Sequence, residues 1–218
     1  MNLLLADDHK LIIHSYKTII SSSEELSEIF NIIEAHSCRE AYEMIKAVES
    51  CNETIDIAII DYSMPVFQEE NLSNGVDVCK LLKDKFPNCK TIILTSIIEN
   101  LKLFDMVQTV NPDGIAIKID IDNKSFTELI SIVLKGEKFR SKNVIKQLEG
   151  VWENRALVNE QNRIILEYLS NGYKIKEIAT ELAVSEITIK KRVSKIKQSF
   201  NLNEDENILK EVKSRGYL

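Results

Sequence analysis

Four short apolar runs in the first half of the chain each end in a polar side chain of a different chemical kind. The runs are residues 3–6, 55–60, 92–94 and 115–117, and the polar residues that follow them are, in order, Asp7 with Asp8, Asp61, Thr95 and Lys118. Near-continuous apolar runs are typical of parallel strands that helices cover on both faces. Open sheets of this kind bind ligands at the carboxyl ends of their strands. The pattern therefore predicts a parallel sheet with a functional site at that edge.

Strand and helix patterns alternate along the first 135 residues. The strand patterns occupy 2–6, 30–34, 55–60, 91–94 and 114–117, and the helix patterns occupy 9–21, 38–49, 75–86, 98–110 and 125–134. Pro87 and the run Asn111-Pro112-Asp113-Gly114 mark turns into the strands that follow. Ser125 with Glu128 predicts a capping box for the last of these helices. Such alternation is typical of a sheet built from β-α-β units.

The pattern changes after residue 135, which favours two domains, and a chain of 218 residues suits two domains of ordinary size. We predict a first domain at residues 1–135, a polar linker with a short amphipathic piece at 136–155, and a helical second domain at 156–218. The helix patterns of the second domain occupy 159–170, 174–183, 186–200 and 204–214. This domain carries a net charge of +2, against −8 for the rest of the chain, which indicates that the two parts meet different partners.

Composition narrows the classes of protein to which the chain can belong. No stretch approaches the roughly 18–20 uninterrupted apolar residues of a membrane span, and Asp7, Asp8 and His9 interrupt the layout of a signal peptide. The four cysteines form no CxxC pair and have no histidine at zinc-like spacing, so we expect reduced thiols without a chemical role. The sequence predicts a cytoplasmic protein that does not bind membranes.

The polar residues at the predicted sheet edge are suited to phosphoryl chemistry. Asp7, Asp8 and Asp61 would offer carboxylate oxygens, which are the ligands that Mg²⁺ prefers. With a cation to screen its charge, Asp61 could attack phosphorus as a nucleophile, while Lys118 and Thr95 would stabilise the new phosphoryl oxygens. Taken one by one, the residues also fit simpler roles, because Asp or Thr after a strand often caps the next helix and Lys118 could be an ordinary surface lysine.

In this order, the acidic pair, Asp61 within Asp-Tyr-Ser-Met-Pro, Thr95 and Lys118 resemble the receiver domain of bacterial two-component response regulators over about residues 1–135. The resemblance implies a flavodoxin-like α/β fold with a five-stranded parallel sheet of order 2-1-3-4-5. It implies that a sensor histidine kinase phosphorylates Asp61 and that Thr95 and Lys118 reposition around the phosphoryl group. The implied Mg²⁺ ligands are Asp7, Asp8, Asp61 and the backbone carbonyl of Ser63.

Two features depart from the receiver pattern. The family usually has an aromatic residue three positions before the lysine, where it moves inward on activation, and this chain has Ile115. The loop after Met64-Pro65 is longer than usual before the Asn74-Gly75 turn and carries the polar run Gln68-Glu69-Glu70-Asn71. We expect both features to leave the phosphate chemistry intact and to bear on how the signal reaches a dimer surface.

The second domain contains two short helices joined by a tight connection. The apolar seam along them consists of Ile178, Leu182, Ile187, Ile189, Val193 and Ile196. Ser185 is a suitable N-cap for the second helix, which carries five cations between Lys190 and Lys197 against the single acid Glu186. This is the layout of a helix-turn-helix, whose second helix can enter the major groove of DNA. A lysine-rich helix is also typical of a plain solvated surface.

Residues 157–172, the run Lys176-Glu177-Ile178-Ala179 and the run Val184-Ser185-Glu186 resemble the LuxR-type helix-turn-helix domain. This second resemblance covers about residues 155–218 and implies an all-α domain of four helices. The residues that it places toward the bases are Lys190, Lys191 and Ser194, and those nearer the DNA backbone are Thr188, Arg192 and Lys195. Arg192 stands where the family often has His, and Asn159 stands where Pro is common.

Together the two parts resemble a response regulator of the NarL/FixJ class. The resemblance implies a transcription regulator, not an enzyme, that is phosphorylated on Asp61 and forms a homodimer on double-stranded DNA when active. Two other interpretations stay open, namely a regulator that acts without phosphate, which Ile115 encourages, and a protein-interaction module without transcriptional output. A phosphatase would need a second aspartate just after Asp61, where this chain has Tyr62 and Ser63.

Overall fold

A parallel β-sheet organises the first part of the computed structural model, which describes all residues 1–218. The strands are β1 (Asn2–Ala6), β2 (Asn31–Ala35), β3 (Ile57–Asp61), β4 (Lys90–Thr95), β5 (Gly114–Ile117) and β6 (Phe139–Arg140). Their order is β2-β1-β3-β4-β5-β6. The predicted order of the first five strands is confirmed, and β6, which no pattern indicated, pairs with β5 through Gly114 and Ile115.

Helices follow the strands in the first part of the chain and make up almost all of the rest. Those between the strands are α1 (Lys10–Ser22), α2 (Cys38–Ser50), α3 (Gly75–Lys85), α4 (Asn100–Val110) and α5 (Asn123–Leu134). Those that follow are α6 (Lys142–Glu153), α7 (Arg155–Val158), α8 (Glu160–Ser170), α9 (Ile175–Glu181), α10 (Glu186–Ser199) and α11 (Ile208–Ser214). The five helices predicted in the first domain are all present, with their ends shifted by only a residue or two.

Both faces of the sheet are buried. Leu3 and Leu5 of β1 pack in one hydrophobic cluster with Phe126 of α5, and Leu4 between them is fully buried as well. Because successive side chains of a strand point to opposite faces, burial of all three means that helices cover both sides. Each such leucine stabilises the fold by about 1.5–3 kcal/mol. On the inner strands β1, β3, β4 and β5, polar groups can therefore reach solvent only at the strand ends, whereas the edge strand β2 has Asn31 and Glu34 exposed.

The residues group into two compact units. The first comprises Met1–Ser96 and Met106–Val144, and the second comprises Ile97–Asp105 and Ile145–Leu218. Leu101 and Phe104 of α4 lie in the core of the second unit with residues of α6, α7, α8, α10 and α11. The first half of α4 thus belongs to the second unit, which no sequence pattern indicated. No helix in the structure combines the length and apolar character that crossing a membrane requires.

The segment 136–155, expected to be a polar linker, contains β6 and the whole of α6. Val144 and Val151 of α6 are both fully buried, and residues seven apart lie on the same face of a helix. The amphipathic piece noted in the sequence is therefore part of a twelve-residue helix. Few apolar residues lie between its charged ones, so the sequence pattern underestimated its length.

Two predicted helix starts are corrected by their caps. Asp122 accepts the N–H of Ser125, and the Ser125 hydroxyl accepts the N–H of Asp122, so the capping box begins three residues before the one predicted at Ser125 and Glu128. The final helix begins at Ile208 and not at residue 204, because the Asn207 side chain accepts two backbone amides of its first turn. In both cases the N-cap is the Asp or Asn directly before the helix, Asp122 or Asn207, and not the residue predicted from the sequence.

Candidate functional site

Three of the predicted pocket residues meet at the carboxyl edge of the sheet. Asp61 is the last residue of β3, Asp7 follows β1, and Lys118 follows β5. The Lys118 Nζ lies 2.7 Å from Asp7 Oδ2 and 3.0 Å from Asp61 Oδ1. Asp7 and Asp61 are buried, with 2% and 5% of their surface exposed. One lysine therefore bridges two buried carboxylates that lie on neighbouring strands.

The backbone next to each carboxylate helps to orient it. The Ser63 N–H donates a hydrogen bond of 3.2 Å to Asp61 Oδ2, and the His9 N–H donates one of 3.0 Å to Asp7 Oδ1. Asp8 is exposed, and its Oδ1 lies 2.7 Å from Nδ1 of His9. Asp7, Asp8 and His9 bring possible metal-binding atoms within 4.8 Å of one another. His9 was not among the predicted site residues, although its position directly after the acidic pair was visible in the sequence.

The charges in this pocket are unbalanced. Burial raises the pKa of Asp61, and the hydrogen bond and positive charge of Lys118 offset this only in part while Asp7 and Asp8 raise it further. Burial lowers the pKa of Lys118, but the hydrogen bonds and charges of Asp7 and Asp61 outweigh it, so the net shift is upward. The upward pKa shifts of Asp61 and Lys118 agree with each other, because one ammonium group is shared between two carboxylates. With Asp8 included, oxygen donors and negative charge are in excess, which fits a hard divalent cation.

Thr95 and Gly75 complete the surroundings of Asp61. Asp61 is in register with Leu94 of β4, and Thr95 is in register with Ile117, the residue before Lys118. Thr95 is fully buried at the end of its strand. A Cβ atom on Gly75 would lie 2.2 Å from the Asp61 carbonyl oxygen, so only glycine permits α3 to begin this close to β3. The Asn74-Gly75 pair was read from the sequence as a turn, without this role.

Both departures from the receiver pattern have defined structures. The loop after Met64-Pro65 folds back through an isolated bridge between Phe67 and Leu72 and contains a 3-10 turn at Gln68–Glu70. The Arg39 guanidinium on α2 lies 3.0 Å from the Glu69 carboxylate and 4.2 Å from the centre of the Phe67 ring. Ile115 is fully buried in β5 and is paired with Arg140 of β6. An aliphatic side chain thus fills the position of the usual aromatic residue.

The helix-turn-helix is formed by α9 and α10. Ile178 and Ala179 of α9 pack with Ile189 of α10, and the Ser185 side chain accepts the N–H of Thr188 as the N-cap of α10. With Ile189 facing the core, the opposite side of α10 faces outward. Of the residues assigned to DNA by resemblance, those that are exposed are Lys190, Lys191 and Lys195, and those that are partly exposed are Thr188, Arg192 and Ser194.

Two of these residues, Ser194 and Arg192, have side-chain partners outside α10. The Ser194 hydroxyl donates to the Glu204 carboxylate. Arg192 contacts the side-chain oxygens of Asn159, Gln161 and Asn162 at the start of α8. These contacts join residues that are far apart in the sequence, so no local pattern predicted them.

Comparison with known proteins agrees with this architecture. Residues 3–118 match the family described as Response regulator receiver domain, and residues 159–210 match the family described as Bacterial regulatory proteins, luxR family. The first match covers more than half of the chain, which therefore belongs to the response regulator receiver family. The predicted combination of a receiver domain with a LuxR-type domain, as in regulators of the NarL/FixJ class, is confirmed.

Individual relatives align with this chain along most of their length. The chain is 24% identical over 203 residues to the DNA-binding transcriptional activator DevR/DosR of Mycobacterium tuberculosis, with 90% of this chain and 86% of the relative covered. It is 23% identical to the transcriptional regulatory protein DegU of Brevibacillus brevis, with 100% and 95% covered. The solved structure of RcsB from Salmonella enterica serovar Typhimurium bound to promoter DNA with the phosphomimetic BeF3- aligns with a TM-score of 0.63 at 23% identity, covering 99% of both chains. This structural likeness shows a shared fold.

Proposed function

We propose that this protein is a response regulator that accepts a phosphoryl group on Asp61 from a sensor histidine kinase and thereby controls its binding to DNA. The observation that carries the proposal is the bridge from Lys118 to Asp61 and Asp7 at the carboxyl edge of the sheet. It holds a nucleophile, a cation and a second carboxylate within hydrogen-bonding distance. The curated relatives described above are transcription regulators, which supports a transcriptional output.

The reaction would use Asp61 as the nucleophile. One Asp61 carboxylate oxygen forms a bond to phosphorus while the bond from phosphorus to the kinase histidine nitrogen breaks, and the electron pair returns to the imidazole ring. Lys118 then faces the new phosphoryl oxygens, and its ammonium charge stabilises them. The hydroxyl of Thr95 donates a hydrogen bond to the same group. The Ser63 N–H, already directed at Asp61, holds the carboxylate in position.

We also propose a Mg²⁺ site in this pocket. Its ligands would be the carboxylates of Asp7, Asp8 and Asp61 and the backbone carbonyl of Ser63. Bound Mg²⁺ supplies positive charge that lowers the repulsion between the incoming phosphate and the carboxylates. The excess of oxygen donors and of negative charge around Lys118 supports this assignment.

The DNA-binding role is assigned to α10. Lys190, Lys191 and Ser194 would face base edges in the major groove, and Thr188, Arg192 and Lys195 would contact the backbone. The protein would act in the cytoplasm as a homodimer, whose two recognition helices lie about one DNA turn apart. The proposed domains are a receiver at 1–135, a connecting segment at 136–155 and the DNA-binding domain at 156–218.

Chain continuity offers a route from the pocket to this output. Thr95 is followed almost directly by Ile97–Asp105, which belongs to the second unit and contributes Leu101 and Phe104 to its core. A shift of Thr95 toward a phosphoryl group would therefore pull on a segment that packs with the DNA-binding helices. This route does not need an aromatic residue at position 115.

Labelling by acetyl phosphate tests the assignment of the acceptor. Asp61→Asn should abolish incorporation of phosphate, because an amide is a poor nucleophile. Asp84→Asn, which alters an exposed carboxylate on α3, should retain full labelling and serves as the matched control. Labelling of the Asp61→Asn variant at the wild-type level would show that another residue is the acceptor.

The buried Ile115 favours one alternative, a regulator whose DNA binding does not depend on phosphate. Light scattering with Mg²⁺, before and after addition of beryllium fluoride, distinguishes the two. A shift from monomer to dimer supports phosphate control. Binding of beryllium fluoride without a change of mass, together with DNA binding in both states, supports the alternative, and failure to retain any genomic DNA fragment would favour a protein-interaction module.

A further inference from the structure

The guanidinium of Arg192 is anchored by neutral groups. Its Nη1 lies 3.1 Å from Asn162 Oδ1 and 3.4 Å from Asn159 Oδ1, and its Nη2 contacts Gln161 Oε1. All three acceptors are side-chain amide oxygens at the start of α8, one from its N-cap Asn159 and two from its first turn. Amide oxygens orient a guanidinium without cancelling its charge, whereas a carboxylate would form an ion pair. Arg192 is therefore held in one direction and remains a full positive charge.

Asn162 is the central part of this anchor. It is 7% exposed, and its Nδ2 donates a hydrogen bond of 2.9 Å to the Ala156 carbonyl of α7. This donation fixes the amide so that its oxygen faces Arg192. Buried polar groups are costly unless both their donors and acceptors are used, and here both are used. The Asn162 amide thus links α7 to the recognition helix.

A cleft of about 460 Å³ opens beside the anchored guanidinium. Its lining residues are Arg155, Asn159, Asn162, Thr188, Lys191, Arg192 and Lys195. Four of the seven are cations and the other three are neutral hydrogen-bonding residues, so no carboxylate lines the cleft. Arg155 comes from the start of α7, outside the recognition helix, and is exposed. Clustered cations with planar arginine groups suit an anion with several oxygens, such as a phosphate diester.

We propose that this cleft holds a backbone phosphate of double-stranded DNA, that Arg155 contacts this phosphate, and that Asn162 is a positioning residue for Arg192. The inference rests on the proposed DNA-binding function and extends the interface from α10 to α7. It also gives the polar residues at the start of α8 a role in recognition, because they hold the arginine in place before DNA arrives. An ordered side chain loses less conformational freedom on binding.

The salt dependence of DNA binding tests the role of Arg155. Full-length protein treated with beryllium fluoride and Mg²⁺ is titrated, by fluorescence anisotropy, into a mixed-sequence duplex of about 20–30 base pairs, long enough for two half-sites. Each lost phosphate contact reduces the slope of log affinity against log salt by about 0.9, so a dimer that loses one contact at each half-site loses about 1.8. Arg155→Ala should show this loss, whereas Lys210→Ala, which removes an exposed lysine of α11 outside the cleft, should keep the wild-type slope.

A double-mutant cycle tests the positioning role of Asn162. Asn162→Ala should weaken binding by about two- to tenfold, the typical cost of ordering one flexible side chain, and should have no further effect in a variant that already carries Arg192→Ala. A merely structural role would weaken both backgrounds equally. If circular dichroism shows that Asn162→Ala does not fold, the cycle is repeated with Gln161→Ala, which alters an exposed side chain.

The outcomes separate this inference from the function on which it rests. If the wild-type protein binds no duplex at any salt concentration, both DNA binding and the phosphate cleft are refuted. If it binds but Arg155→Ala keeps the wild-type slope, the Arg155 contact alone is wrong. Additive effects of the substitutions at positions 162 and 192 would refute the positioning role.

Discussion

The pocket around Asp61 and the outer surface of α10 both concentrate charge of one sign, but they differ in burial. In the pocket, two nearly inaccessible carboxylates share Lys118. On α10, exposed cations stand around an arginine that neutral amides orient. Charges interact strongly where water is excluded and weakly where salt screens them. The loss of one charged side chain should therefore change the chemistry of the pocket strongly. DNA binding by the surface of α10 should instead depend on its total charge.

Two arginines of the second unit show the same difference on a smaller scale. Arg163 is 6% exposed; it pairs with Asp105 at 2.6 Å and donates to the carbonyls of Leu157 and Val158. Its charge is balanced by a carboxylate, so it serves the structure. Arg192 has only side-chain amide partners, so no carboxylate within the chain neutralises its charge and a ligand can bind to it. The chemistry of the partner, and not the residue type, distinguishes a structural arginine from one that is available for binding.

Loss of the pocket lysine should produce the largest effect. Lys118→Ala removes the cation that faces the developing phosphoryl charge, and loss of one such group typically slows a reaction by about 10²–10³-fold. The initial rate of labelling by acetyl phosphate measures this. Lys80→Ala, at an exposed position of α3, is the control and should leave the rate unchanged. A decrease of less than about threefold in Lys118→Ala would contradict the strong coupling expected of a buried site.

Loss of the carboxylate that balances Arg163 should have an intermediate effect. Asp105→Ala leaves a buried guanidinium without its charged partner, and a hydrogen bond to a charged group contributes about 1.5–3 kcal/mol. Because the Asp105 side chain is itself about half exposed, we expect a loss of about 2 kcal/mol in the free energy of unfolding. Urea denaturation measures it, with the exposed Asp84→Ala as reference. Equal stability of the two variants would mean that Arg163 tolerates burial without a counter-charge.

The smallest expected effect is the pH dependence of stability in the pocket. The pKa of Asp61 is raised in the folded state, so the folded protein binds this proton more tightly than the unfolded chain does. Ionised Asp61 therefore costs stability as the pH rises from the ordinary aspartate range through the raised pKa. Asp61→Asn should be more stable than wild type near neutral pH, with a gain that shrinks as the pH falls through the raised pKa and is lost below about pH 4. A gain that grows on acidification would reverse this sign.

Prediction from the sequence succeeded where one local pattern determines the structure. The presence of the five strands and five helices of the first domain followed from alternating apolar runs, since burial of both sheet faces leaves little choice of residue. The order of the strands was implied by the resemblance to receiver domains and not by these runs. β6 escaped prediction because two residues carry no recognisable pattern. α6 was predicted only as a short amphipathic piece because few of its residues are buried, and the capping box was displaced because Asp122, and not Ser125, is the N-cap.

The site residues divide in the same way. The polar ends of the strands were visible as a motif, and their convergence followed from the rule that parallel strands share an edge. The bridge of Lys118 to Asp7, however, spans 111 residues of sequence, and the anchor of Arg192 on Asn162 spans 30. Gly75 was read as a turn residue, although its lack of a Cβ atom is what allows α3 to approach Asp61.

Local sequence was thus sufficient for the class of fold, for the motif at the sheet edge and for the helix-turn-helix, because each depends on periodicity or on neighbours along the chain. It was insufficient for partner choice between distant side chains. The placement of Ile97–Asp105 in the second unit, the pairing of Asp105 with Arg163 and the neutral anchor of Arg192 depend on packing between elements. Such contacts form only after the chain has closed long loops, so no short stretch of sequence encodes them.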